Sequence, residues 1–149
     1  MWEEGPVPAE LGMFPGYLLA RLGDASRRRF RRALEPEGLH PRHFGVMTIV
    51  AAHPGTSQQQ LQGRTGIDPS SMVAVIDELE ASGLAERRAH PGDRRVRAIF
   101  LTKAGERTLE RAKELAGELQ RDLLEPLSAA ERRTLIELLR KLASGSARG

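Results

Sequence analysis

Two short amphipathic segments meet at a three-residue turn, Thr65-Gly66-Ile67, and the second opens on Asp68-Pro69. This junction constrains the fold more than any other feature of the 149-residue chain. Glycine reaches the left-handed conformation that a tight helix-to-helix turn demands. Aspartate accepts the free N–H groups of a first turn, and proline at the first helical position gives up an N–H that would have no partner. A helix therefore starts at Pro69. It runs to Ser82-Gly83, where glycine ends it. Met72, Val75, Ile76 and Leu79 fall at core spacing along it. The preceding helix runs from Ser57 to Arg64, with Thr56 or Ser57 as its cap. Two helices held this close form a helix-turn-helix, whose second member can enter a DNA groove.

Residues 84–101 change in character. Val96, Ile99 and Phe100 lie in one of two arms joined by a Pro91-Gly92-Asp93 turn, which reads as a β-hairpin. Twenty of the 23 basic residues are arginine, and Arg87, Arg88, Arg94, Arg95 and Arg97 all fall on this ribbon, opposed by Glu86 and Asp93. A merely solvated hairpin needs no such density of charge. A wing lying along a phosphate backbone does. On the helix before it, Ser70, Ser71, Val73 and Ala74 face outward near the start. Small side chains let the helix approach base edges, hydroxyls bond bases or phosphates, and Val or Ala touches a thymine methyl. The free N–H groups at the start of this helix attract phosphate, and Ser57, at the start of the supporting helix, joins the set. An amphipathic helix with a polar outer face has the same periodicity, and the arginine ribbon beside it decides between the two.

The rest of the chain reads as helical. Pro15 opens a helix to Leu34 with Leu18, Leu22, Ala25, Phe30 and Leu34 as its stripe. A second helix spans Pro41 to Ala52, with Phe44, Met47, Val50 and Ala51 inward. Thr102 caps a long helix to about Leu124, and Ser128-x-x-Glu131 is a capping box for a last helix to Leu142. Leu109, Ala112, Ala116, Leu119 and Leu123 repeat at spacings of 3 and 4, and Leu135, Leu138, Leu139 and Leu142 repeat the idea. Neither seam finds an evident partner in the small lobe. The expected architecture is thus mostly α with a small β-hairpin wing. It comprises a flexible arm (1–12), one domain (13–143) and a disordered tail (144–149). Helices of about 13–35 and 103–143 would form a dimerisation region around a winged helix-turn-helix at about 41–102.

The run Asp68-Pro69-Ser70-Ser71, then Asp77-Glu78-Leu79-Glu80-Ala81-Ser82-Gly83-Leu84, Glu86-Arg87-Arg88, His90-Pro91-Gly92-Asp93-Arg94-Arg95 and Leu101-Thr102-Lys103-Ala104-Gly105 resembles the MarR family of bacterial regulators, over about residues 14 to 143. The resemblance implies a homodimer on a pseudo-palindromic operator, repression, and release by a small molecule. It also implies a minor-groove role for Arg95, with Asp93 orienting it. The chain departs from the family pattern at Val73-Ala74, where a polar or basic pair is common, and at Gln62-Gly63 in the supporting helix. Absence of cysteine excludes the peroxide-sensing branch, disulfides and thiolate metal sites together.

For an effector, the resemblance points to a cleft between the helical region and the DNA-binding lobe, with Met13, Tyr17, Arg21, His43 and Met47 as candidate liners. An arginine beside aromatic groups suits an aromatic or anionic molecule. The bland alternative places Tyr17 and Met47 in the core and Arg21 at the surface, with His43 a satisfied or exposed side chain. No apolar run approaches the ~20 residues of a membrane span, and the N-terminus lacks a basic patch followed by an apolar stretch, so a cytoplasmic location is expected. No phosphate loop, nucleophile motif or metal-ligand spacing is present, and His40, His43, His53 and His90 show no paired carboxylate; an enzyme, a cofactor and a metal site are not expected. A ligand-independent winged-helix module, for DNA or protein contact, stays open as the second reading.

Overall fold

The computed structural model describes residues 5–146. Six helices and a three-stranded antiparallel sheet follow one another as α1 (Pro15–Leu34), α2 (Pro41–Ala52), β1 (Thr56–Ser57), α3 (Gln58–Thr65), α4 (Pro69–Ala81), β2 (Ala85–His90), β3 (Asp93–Leu101), α5 (Lys103–Leu124) and α6 (Ala129–Ser146). The mostly α architecture with a hairpin wing is as the sequence implies. The two-residue β1 is an addition, since so short a strand carries no periodicity to read. It pairs with β3, Thr56 opposite Ile99, and gives the sheet order β1-β3-β2.

Local chemistry explains the boundaries. Ser57 caps α3 in a reciprocal box with Gln60: the Gln60 N–H donates to Ser57 Oγ at 3.2 Å, and the Ser57 N–H donates to Gln60 Oε1 at 2.8 Å. Gly66 ends α3 at φ 70°, the left-handed conformation expected of the turn. Asp68 accepts the Ser71 N–H at 2.9 Å at the head of α4.

One core unites α1, α2, α3, α4, the sheet and the start of α5. Met72, Val75, Ile76 and Leu79 of α4 are all buried, against Val46, Met47 and Val50 of α2, Leu61 of α3, Ile99 of β3 and Leu109 of α5. Phe30 of α1 meets Phe44 of α2 edge to face, ring centroids 5.0 Å apart. Inside α2 the buried set includes His43 and Val46, whereas Ala51, expected inward, is exposed. The wing's base is tied to α5 by Thr102, whose N–H donates to the Leu84 carbonyl at 3.1 Å and whose hydroxyl donates to the Gly83 carbonyl at 2.6 Å.

The ends differ from expectation. The arm is not loose throughout: the N–H groups of Leu11 and Gly12 both donate to the Pro8 carbonyl at 3.0 Å, forming a turn just before α1. At the other end, residues 144–146 continue α6 instead of belonging to a disordered tail. Nothing in Ser144-Gly145-Ser146 breaks the backbone ladder, and Ser144 Oγ donates back to the Arg140 carbonyl at 2.9 Å. The remaining tail and the first part of the arm lie outside the described residues.

Leu138, Leu139 and Leu142 of α6 are exposed, as are Leu19 and Leu22 of α1. An open, apolar cleft of about 630 Å³ lies between α1, α5 and α6, lined by Phe30, Phe44, Leu119, Leu123, Leu135 and Leu139 among others. Among the described residues no helix is long and apolar enough to cross a membrane.

Candidate nucleic-acid interface

The wing tip follows from strand register. Ala89 pairs with Arg97, but His90 pairs with Asp93, so Arg94, Arg95 and Val96 bulge out of the ladder. Asp93 Oδ1 accepts the backbone N–H of Arg95 at 2.9 Å. This bond fixes the turn of chain that carries the Arg95 side chain. Arg94, Arg95 and Arg97 are exposed and have no acidic partner among the described residues. Three unneutralised guanidinium groups, two on the bulge and that of Arg97 at the rung beside it, constitute a strong local positive field, suited to a phosphate or a narrow minor groove.

Arg95 and Arg97 also border a concave site of about 320 Å³ shared with Ser57, Gln58, Gln59 and Gln62 at the start of α3. The wing and the supporting helix, separate in sequence, thus make one polar groove. Gln58, Gln59 and Gln62 were not among the residues expected there. The signal was present in the glutamine run, whose amides donate and accept, but only strand β1 places it beside β3. Gly63, the other departure in α3, is exposed and has open space around its Cα.

On α4, Val73 and Ala74 are exposed near the helix start. The two serines are otherwise engaged. Ser70 Oγ donates to Asp68 Oδ1 at 2.7 Å, and the Ser71 hydroxyl also bonds that carboxylate. These bonds, with that from the Ser71 N–H, hold the Asp68 carboxyl well below the usual carboxylate range. Each serine must leave Asp68 before its proton reaches DNA.

Two wing arginines differ from the expected role. Arg87 is half-buried and turned to α4, where it pairs with Asp77 at 2.7 Å and with Glu80. Its backbone N–H also donates to Glu80 at 2.9 Å. The charge of Arg87 is therefore used in joining β2 to α4. Arg88 pairs with Glu86 and lies 4.5 Å over the Phe100 ring, which directs it along the sheet face.

The effector candidates divide in two. Tyr17 and Arg21 come together on α1, with Arg21 Nη1 donating to the Tyr17 hydroxyl at 3.3 Å and Arg21 Nη2 donating to the Gly5 carbonyl. Met13 is highly exposed just before them. Met47 is fully buried in the core, and His43 faces α4, so these two do not join the Tyr17–Arg21 group. Their α2 positions point inward because the α2 face they occupy is the one that α4 covers. His43 also corrects the expectation of histidines without carboxylates: its Nε2 lies 2.5 Å from Glu78 Oε2. No group of three or more potential metal ligands gathers among the described residues.

The fold is shared with known proteins. A model of the MarR family matches residues 37–96. A Thauera aromatica protein named for transcriptional regulation of the hcr operon is 37% identical over 139 residues, covering 93% of this chain and 81% of that one. The solved structure of the transcriptional repressor CouR bound to a 23-mer DNA duplex superposes with a TM-score of 0.83 at 33% identity, covering 94% of this chain and 99% of that one. CouR from Rhodococcus jostii RHA1 bound to p-coumaroyl-CoA superposes at 0.80 with 29% identity, over 91% of this chain and 96% of that one. The winged helix-turn-helix, the arginine-tipped wing and these likenesses agree: the chain belongs to the MarR family and is a DNA-binding transcriptional regulator.

Proposed function

We propose that the chain is a homodimeric repressor that sits on a pseudo-palindromic operator in the cytoplasm and leaves it when a small aromatic anion binds. The observation that carries the DNA contact is the polar groove that joins Ser57, Gln58, Gln59 and Gln62 to Arg95 and Arg97. It offers a phosphate track between the supporting helix and the wing, with Val73 and Ala74 of α4 left for base edges. Arg94 and Arg95 at the bulge reach the flanking minor groove. Arg87 contributes by holding the wing against α4.

The exposed leucines of α6, together with Leu19 and Leu22 of α1 and the open cleft they border, supply an apolar surface that a second copy would cover. A dimer places two α4 helices about one DNA turn apart, which is what a two-fold operator requires. The Tyr17–Arg21 pair supports the effector reading. Its guanidinium holds a backbone carbonyl, a neutral acceptor that a carboxylate would displace with a charge-assisted bond. CouR's p-coumaroyl-CoA makes an aryl acid, free or as its CoA thioester, the class to examine first.

The test is selection of bound fragments from the source genome, followed by sedimentation and operator-release assays. The expected result is a two-fold-related site bound by a dimer, with release by one member of a panel of benzoates, cinnamates and their CoA thioesters. Arg21→Ala should keep the DNA affinity and lose the response. A monomer that binds a half-site with full affinity would refute the dimer. A panel without effect would favour the ligand-independent reading.

A further inference from the structure

The imidazole of His43 links two elements. Its Nδ1 accepts the His40 N–H at 2.9 Å, which closes a capping box at the head of α2. A ring that accepts at Nδ1 carries its proton on Nε2. That proton is donated to Glu78 of α4 at 2.5 Å. Arg42 Nη2 reaches both Glu78 oxygens, at 3.0 and 3.1 Å. The bonds from His43, and then from Arg42, keep the Glu78 carboxyl below its ordinary range. Glu78 lies near the C-terminal end of α4, where a negative charge opposes the helix dipole and needs partners of this kind. On the other flank, Arg87 of β2 holds Asp77 and Glu80.

The apolar anchors of α4 set its direction less sharply than hydrogen bonds do. Met72, Val75, Ile76 and Leu79 hold it to the core, but apolar contact is non-directional. Hydrogen bonds of defined angle limit rotation and tilt. The 13 residues of α4 span about 20 Å, so a tilt of roughly 10° about its far end moves its first turn by about 3 Å. That is the length of a base-edge hydrogen bond. Phosphate contacts from long arginines on the wing would tolerate such a shift.

We infer that His43, with Arg42 and Glu78, is a positioning set that holds α4 at the angle needed to tell operator from other DNA. The inference rests on the reading of α4 as the helix that meets the bases. It assigns to the α2–α4 seam the degree of discrimination, and to the wing the general affinity.

The test compares two substitutions at one position in the full-length dimer. Asn in His43→Asn places an acceptor near the site of Nδ1 and nothing near Nε2, so it keeps the α2 cap and removes the tie to Glu78. Gln in His43→Gln places an amide N–H near Nε2 and restores the tie. The probes are a duplex selected from genomic DNA and a shuffled duplex of equal length and composition. His43→Asn should lower the ratio of the two affinities by about tenfold, the order of one base-specific contact. The salt dependence on shuffled DNA should stay unchanged. His43→Gln should stay within about threefold of the parent by the same measure. Glu78→Ala should match His43→Asn, and the double variant should be no worse than either, as coupled groups require. An unchanged ratio in His43→Asn or Glu78→Ala, an equal loss in His43→Gln, or additive losses would overturn the inference. Arg95→Ala, measured alongside, reports on the DNA interface by itself. If that variant binds like the parent, the interface reading fails; if it weakens binding while His43→Asn does not, only the positioning role fails.

Discussion

Gly105 lies one turn into α5, where the helix meets the base of the wing. A methyl group in Gly105→Ala would lie 2.9 Å from the carbonyl carbon of Leu84 and closer still to its oxygen, and 3.3 Å from the Leu84 Cα. The obstacle is backbone, so no rotamer change relieves it. The Leu84 oxygen is the limiting contact, far inside the ~3.3 Å at which carbon and oxygen rest, so α5 and the Leu84 peptide must part by more than about 1 Å. The parting strains the bonds from Thr102 to the Gly83 and Leu84 carbonyls, 2.6 and 3.1 Å long. Overpacking of this kind costs about 1–3 kcal/mol, and each weakened bond adds up to about 1 kcal/mol. The sum is about 3 kcal/mol, which for a domain of this size lowers Tm by roughly 6–12 °C. Differential scanning calorimetry at fixed protein concentration reads it directly. Gly45→Ala is the control, since nothing lies within 4 Å of the added carbon inside α2. It should raise Tm slightly, because alanine favours a helix interior over glycine by about 0.5–1 kcal/mol. A Gly105→Ala protein that melts within 2 °C of the parent, a difference worth less than about 1 kcal/mol, would refute the close-approach argument.

Three further outcomes are expected. Arg95→Ala should weaken operator binding by about 1–3 kcal/mol and reduce the slope of log affinity against log salt by about 1, checked by fluorescence anisotropy at several ionic strengths. Gly66→Val should destabilise the DNA-binding lobe by at least about 1–2 kcal/mol through its left-handed φ, with Gly66→Asn milder, checked by chemical denaturation. Asp68, whose folded-state carboxyl is depressed chiefly by the Ser71 hydroxyl, contributes stability above the unfolded carboxylate range. That contribution is lost as pH falls below about 4, so Asp68→Asn should be less stable at pH 7 and should lose less on acidification. Equal acid sensitivity of the two proteins in thermal melts would contradict this.

The parts of the fold legible in the sequence are those set by local rules. The Asp68-Pro69 start, the Gly66 turn and the core stripe of α4 each depend on residues within one or two turns, and all three stand where the sequence puts them. The distribution of arginine is less legible, because a guanidinium bound to protein and one awaiting DNA look alike in a string of letters. A cue existed for Arg87. Asp77, Glu78 and Glu80 crowd the end of α4, where the helix dipole disfavours them, so cationic partners had to be near. His43 lies 35 positions from Glu78, a pairing fixed only by the packing of α2 on α4. Gly105 stood out as part of a motif, but its reason, the Leu84 peptide against it, appears only in three dimensions. The effector candidates rest on the family resemblance, which names a cleft and not the direction of each side chain. Spacing brings Tyr17 to Arg21, and it also puts Met47 on the inward stripe of α2, where the core claims it.

The junction of Thr102 and Gly105 with Gly83 and Leu84 has a mechanical consequence. It welds the wing's base to one end of a stiff rod, because α5 runs unbroken for 22 residues, or about 33 Å. A rod joined rigidly at one end works as a lever. A swing of about 5° at its distal end, where the α1–α5–α6 cleft lies, corresponds to about 3 Å of travel over that length. The wing, having no slack at the weld, would pivot through the same angle. A slight change of seating among the long helices would thereby reach the arginines on the bulge.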